Sequence, residues 1–117
     1  MIVYQDKTEW LNKDGQLHRE NGPAVEYANG TKSWWLNGER HREDGPAIEW
    51  GAGVKEWYQN GKRHREDGPA IEYSSGTKEW WLNGKILYEE EFNEKMNSCN
   101  GKTVVIDGKE YILKLKQ

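Results

Sequence analysis

His18-Arg19-Glu20-Asn21-Gly22-Pro23-Ala24, His41-Arg42-Glu43-Asp44-Gly45-Pro46-Ala47 and His64-Arg65-Glu66-Asp67-Gly68-Pro69-Ala70 are three versions of one phrase, with their histidines 23 residues apart. A fixed period of this size marks a repeat protein, in which each unit packs mainly on its neighbours. Residues that would suggest catalysis if they occurred once belong here to the repeat.

Working outward from the phrase, Ser33 to Lys55 is one complete unit and Glu56 to Lys78 the next. Glu9 to Lys32 precedes them, with one extra residue inside Leu11-Asn12-Lys13-Asp14-Gly15. A fourth copy opens as Glu79-Trp80-Trp81-Leu82-Asn83-Gly84 and diverges at Ile86-Leu87-Tyr88. The array therefore covers 1–88, in units 9–32, 33–55, 56–78 and 79–88. Terminal units are atypical because each has only one neighbour.

Each unit carries three turns. Asn37-Gly38, Asn60-Gly61 and Asn83-Gly84 are hairpin turns, because both residues tolerate the positive φ that suits twisted strands. Asp14-Gly15 takes this part in the first unit. Asp44-Gly45-Pro46 and Asp67-Gly68-Pro69 make the second turn, and Ala28-Asn29-Gly30, Gly51-Ala52-Gly53 and Ser74-Ser75-Gly76 the third. The pieces between run four to seven residues and favour strands; the glycines interrupt any 3.6-residue apolar spacing. The expected fold is all-β, one elongated antiparallel meander.

Alternation assigns faces. Ile48 and Trp50 point one way and Ala47 and Glu49 the other, an arrangement repeated by Ile71 with Tyr73 and Val25 with Tyr27. Trp34, Trp57 and Trp80 form one column; Trp35, Tyr58 and Trp81 form another on the opposite face. Only 34% of the residues are hydrophobic, so seven tryptophans and six tyrosines must supply much of the buried area.

The net charge is −3 with both signs interleaved and no polybasic block, which argues against a nucleic-acid or anionic-lipid binder. No run approaches a membrane span, Cys99 is the only cysteine, and Met1-Ile2-Val3-Tyr4 is no secretory leader, so the expected setting is a reducing cytoplasm. His18, His41 and His64 do not suggest a metal: equivalent residues two strands apart lie roughly 9–10 Å from one another, too far for one tetrahedral ion. No serine or cysteine recurs as a nucleophile beside them, so no catalytic residue, metal or cofactor is assigned. Arg40, Arg42, Arg63 and Arg65 are expected to reach across strands toward Glu43, Glu49, Glu66 or Glu72, with the histidine donating to a carbonyl near the Asp-Gly-Pro bend.

Trp34-Trp35-Leu36-Asn37-Gly38, Trp57-Tyr58-Gln59-Asn60-Gly61-Lys62 and Trp80-Trp81-Leu82-Asn83-Gly84-Lys85 resemble the hairpin units of MORN-like repeats, seen in many bacterial and phage proteins. The resemblance covers residues 9–88 and implies a mostly non-catalytic family of scaffolds, membrane-associated modules and antitoxin-like or immunity-like proteins. The His-Arg-Glu-Asp-Gly-Pro-Ala ending departs from the simpler repeat, so lipid binding is not carried over.

Residues 89–117 change in character. Tyr88, Phe92 and Met96 are spaced as one face of a short helix, closed by Asn97-Ser98-Cys99-Asn100-Gly101. Thr103 to Leu115 reads as a hairpin around Asp107-Gly108, with Tyr111, Leu113 and Leu115 on one face. Helix and hairpin together are expected to cap the sheet. The resulting expectation is a protein-recognition module, an inhibitor or immunity-type protein by analogy, anchored by Trp35, Tyr58 and Trp81, with Arg42 and Arg65 adding polar specificity. Self-assembly, giving a homo-oligomer, and mimicry or binding of nucleic acid are the alternatives.

Overall fold

A computed structural model describes residues 1–97, 103–106 and 109–112. The strands are β1 (Ile2–Val3), β2 (Lys7–Glu9), β3 (Val25–Tyr27), β4 (Lys32–Ser33), β5 (Trp35–Leu36), β6 (Glu39–Arg40), β7 (Ile48–Glu49) and β8 (Lys55–Glu56). They continue as β9 (Tyr58–Gln59), β10 (Lys62–Arg63), β11 (Ile71–Glu72), β12 (Lys78–Leu82) and β13 (Lys85–Leu87). Helix α1 (Glu89–Asn97) follows, and β14 (Thr103–Ile106) and β15 (Lys109–Ile112) form a separate hairpin.

Nine strands make an antiparallel sheet in the order β1-β2-β3-β4-β7-β8-β11-β12-β13, and the described fold measures 49 × 34 × 23 Å. The all-β meander is thus present, with two departures. Strand β1 is an extra edge strand, pairing Ile2 with Glu9 and Val3 with Thr8. Most strands are also shorter than the turn spacing implies, and β5–β6 and β9–β10 pair only with each other. The reason lies at Trp34 and Trp57. Trp34 donates its backbone N–H to Ala47 and accepts from His41 with its carbonyl, so the chain changes partners there; Trp57 does the same with Ala70 and His64.

The register sorts the sheet into two chemically distinct rungs. On one face Glu26, Lys32, Glu49, Lys55, Glu72 and Lys78 oppose one another in sequence, an unbroken alternation of charge. Opposite charges directly across strands contribute roughly 0.2–1 kcal/mol per pair. On the other face the rung reads Val25, Ser33, Ile48, Glu56, Ile71 and Glu79. Ala24, Ala47, Ala70, Val25, Ile48 and Ile71 are buried, so the core is a thin row of small side chains stiffened by aromatic rings.

The hairpin turns have the expected chemistry. Asn37, Asn60 and Asn83 sit at φ of 48°, 51° and 49°, each followed by a glycine near 80° (83°, 81° and 83°). The first unit differs. Asp14 is not left-handed there; Asn12 Oδ1 instead accepts from the backbone of Asp14 and Gln16, which absorbs the extra residue and leaves Gly15 alone at positive φ.

At the far end Leu82, Phe92 and Met96 form a buried cluster with Trp80 and Leu87 against it, so α1 covers the last unit. Tyr88 does not share that seam: it is 81% exposed and sits just before the helix, where Glu91 Oε1 accepts its backbone N–H in half of a capping box. The hairpin pairs Thr103–Ile112 through Ile106–Lys109 as its turn implies. The side chains of Tyr111, Leu113 and Leu115, and Cys99 with the helix-closing segment around it, lie outside the described residues.

Candidate recognition surface

The repeated phrase is first of all a fastening. His18, His41 and His64 each accept, at Nδ1, the backbone N–H of Asn37, Asn60 and Asn83 in the next unit, at 2.9, 3.0 and 2.8 Å. An accepting Nδ1 leaves the ring proton on Nε2, which faces Glu20, Glu43 and Glu66 at 3.7, 3.5 and 3.6 Å. The histidine is therefore an acceptor between units, where donation to the bend was expected. Each arginine lies over a tryptophan ring of its own unit, with the Cζ atoms of Arg19, Arg42 and Arg65 at 3.8, 3.9 and 3.9 Å from the ring centres of Trp10, Trp34 and Trp57. Arg42 Nη1 also donates to the Pro46 carbonyl and to Glu49, both at 3.0 Å, and its Nε donates to Asp44. Arg65 repeats all three with Pro69, Glu72 and Asp67. The glycine of the bend makes room: a Cβ on Gly22, Gly45 or Gly68 would meet the arginine Cζ at 3.2, 3.0 or 3.1 Å.

On the opposite face a second aromatic system runs along the array. Trp35, Tyr58 and Trp81 alternate with Arg40 and Arg63, whose guanidiniums lie 4.9 and 5.5 Å from the Trp35 and Tyr58 rings and 5.8 and 5.0 Å from Tyr58 and Trp81. Tyr58 is only 7% exposed in this stack. Burial first, then the Glu56 charge and its hydrogen bond, holds its phenol above the ordinary tyrosine range. Trp35 and Trp81 are half-buried, so of the three expected anchors the central one is covered.

The open rings of this face belong to a third column. Tyr27, Trp50 and Tyr73 are 39%, 44% and 37% exposed, one per unit. Trp50 Nε1 donates to Glu56 Oε2 at 2.6 Å and Tyr73 Oη to Glu79 Oε2 at 2.9 Å, while Tyr58 Oη and Trp81 Nε1 donate to the other oxygens of the same two carboxylates. Each carboxylate thus clamps one open ring and one ring of the stack. Alternation places Tyr27, Trp50 and Tyr73 with the core side chains Val25, Ile48 and Ile71, yet they lie past the ends of β7 and β11 or at the last residue of β3, where the sheet no longer covers them. A signal was present in the sequence: each ring immediately precedes a third turn.

Arg42 and Arg65 lie on the other face, spent on the contacts above. Two equivalent open grooves run between successive turns: one of about 740 Å³ between the Arg19 and Arg42 turns, rimmed by Glu20, Glu43 and Asp44, and one of about 790 Å³ between the Arg42 and Arg65 turns, rimmed by Glu43, Asp44, Glu66 and Asp67. Among the described residues no group of three or more His, Cys, Asp and Glu is arranged to hold a metal ion, and no helix is long and apolar enough to cross a membrane. Comparison with protein-family models, curated proteins and solved structures finds no match.

Proposed function

We propose that this chain is a non-catalytic recognition module of MORN-like repeats, working in a reducing cytoplasm by binding a target protein in the manner of a small bacterial or phage inhibitor or immunity-type protein. The observation that supports this reading is the column Tyr27, Trp50 and Tyr73, one open ring per unit on a rigid sheet. Equivalent rings recur at roughly 9–10 Å, twice the strand spacing. Two of them are already held by hydrogen bonds, so docking costs them little rotamer freedom, and large rings supply most of the energy at protein interfaces. Trp35 and Trp81 flank the column and extend its apolar area, while Tyr58 stiffens it from beneath. Arg42 and Arg65 serve the reading indirectly, by holding each unit in register.

The test is affinity capture with three proteins of checked folding: the wild type, Trp50→Ala/Tyr73→Ala, and Glu43→Gln/Asp44→Asn on the opposite rim. A stoichiometric partner retained by the wild type and the rim variant, and lost by the ring variant, supports the reading. Equal retention by all three contradicts it. One observation favours a second reading, edge-to-edge self-assembly: β1 is an outer strand whose Ile2 and Val3 are exposed. Under that reading Val3→Lys lowers the mass in solution and leaves foreign binding untouched.

A further inference from the structure

The repeat is broken at one position on the aromatic face. In the third unit Glu56 is buried and receives Trp50 Nε1 on one oxygen, with Tyr58 Oη and the Nε and Nη2 of Arg63 on the other. One period earlier the same place is held by Ser33, and the residues equivalent to those donors are Tyr27, Trp35 and Arg40. All three donor groups are kept, but the carboxylate is gone. Among the described residues Ser33 Oγ accepts a hydrogen bond from Trp35 Nε1 alone, at 2.8 Å. Arg40 retains its ring stacking, but its Nε is shielded from solvent and has no hydrogen-bond partner among the described residues. A buried donor left without an acceptor is destabilising, more so on a charged group, unless something completes it. Arg40 also lines a cavity of about 230 Å³, together with Tyr27, Thr31, Ser33, Ile48 and Trp50.

We propose that this cavity is a carboxylate-binding site, in which a ligand's carboxylate takes the place that Glu56 fills in the next unit. The chemistry is a match of donors to acceptors. The arginine edge addresses one oxygen, as Arg63 addresses Glu56, and a ring donor addresses the other. Ile48 and the Trp50 ring supply an apolar wall for the carbons that carry the group. The volume admits a small carboxylic acid or the end of an Asp or Glu side chain. The site lies between the open rings Tyr27 and Trp50, so it deepens the recognition reading by naming what that part of the face accepts. Its own test needs no partner protein, and the two readings therefore fail separately.

The experiment follows the Arg40 Nε–Hε resonance by nuclear magnetic resonance in the full chain, titrating sodium acetate and a glutamate blocked at both backbone ends against sodium chloride at equal ionic strength. Ser33→Glu restores the carboxylate in place, and Arg40→Met removes the cation. The expected results are a saturable shift in the wild type, at least tenfold weaker binding to Ser33→Glu, and a Tm for Ser33→Glu raised by roughly 2–5 °C. If Ser33→Glu does not fold, Arg40→Met decides, read by thermal shift: it must lose the carboxylate-dependent rise in Tm that the wild type shows. Saturation by acetate assigns a free small carboxylate, and response to the blocked glutamate alone assigns an acidic side chain; both support the site. A wild-type resonance unmoved by either probe overturns it, as does an equal shift in Ser33→Glu or an undiminished response in Arg40→Met.

Discussion

The Arg42 guanidinium lies 3.9 Å from the centre of the Trp34 ring while its Nη1 donates to the Pro46 carbonyl and to Glu49. One side chain therefore ties the first strand of a unit, its bend and its return strand together. The same contact recurs at Arg19 with Trp10 and Arg65 with Trp57, which explains why Arg and Trp travel together through the repeat.

Arg42→Lys tests that tie. Lysine keeps the charge but has neither the flat face nor the fork that spans two acceptors. The expected loss is about 1–2 kcal/mol of unfolding free energy, read by urea denaturation. A loss no larger than a few tenths would show that the stacking is incidental.

The histidine fastening predicts a gradient. Removing His64 leaves the Asn83 N–H without its acceptor at a buried site, whereas Asn37, the partner of His18, is exposed and water can replace the imidazole. His64→Ala should cost about 1–3 kcal/mol and His18→Ala less than about 1 kcal/mol. Equal costs in parallel denaturation curves would contradict the account.

Phe92 is buried against Leu82 and Met96 and holds α1 over the last unit. Phe92→Ala should cost about 3–5 kcal/mol, the usual range for emptying an aromatic core site. Hydrogen exchange should then rise first in β12 and β13 and leave β3 and β4 protected. A uniform rise along the array would show that the cap carries no local role.

Tyr58 sets an alkaline limit. Its phenol is raised by burial first and then by Glu56, so the folded state binds that proton more tightly than the unfolded chain. The stabilisation is complete below the ordinary tyrosine value of about 10 and is lost as pH climbs through the raised value. Absorbance titration of tyrosinate should show a late-titrating ring that Tyr58→Phe removes, and the alkaline fall in Tm should shrink with it. Tyr73 is also raised, through its hydrogen bond to Glu79, but it is exposed, and Tyr73→Phe should change Tm little.

Much of the fold was legible because local chemistry dictates it. Asn37-Gly38 and its equivalents have positive φ at both positions, and period-two alternation puts Trp34 and Trp35 on opposite faces. What escaped the sequence depends on contacts between units. Alternation cannot say which column is covered; Tyr58 is buried because Arg40 of the preceding unit and Arg63 of its own both stack on its ring. The partner of His41 is an N–H 19 residues further on, and no residue type records whether the imidazole donates or accepts. The strand breaks at Trp34 and Trp57 are likewise a change of hydrogen-bond partner, invisible in composition. The departure of Ser33 from Glu56 and Glu79 is written in the sequence, but only the orphaned Arg40 Nε gives it a meaning.

The most direct test of the recognition face is hydroxyl-radical footprinting of the chain alone and bound to its captured partner, read residue by residue by mass spectrometry. The account predicts protection of Tyr27, Trp50 and Tyr73 on binding, with Trp34 and Trp57 unchanged. Protection of Trp34 and Trp57, with Tyr27, Trp50 and Tyr73 as reactive as in the free chain, would place the partner on the opposite face and contradict it.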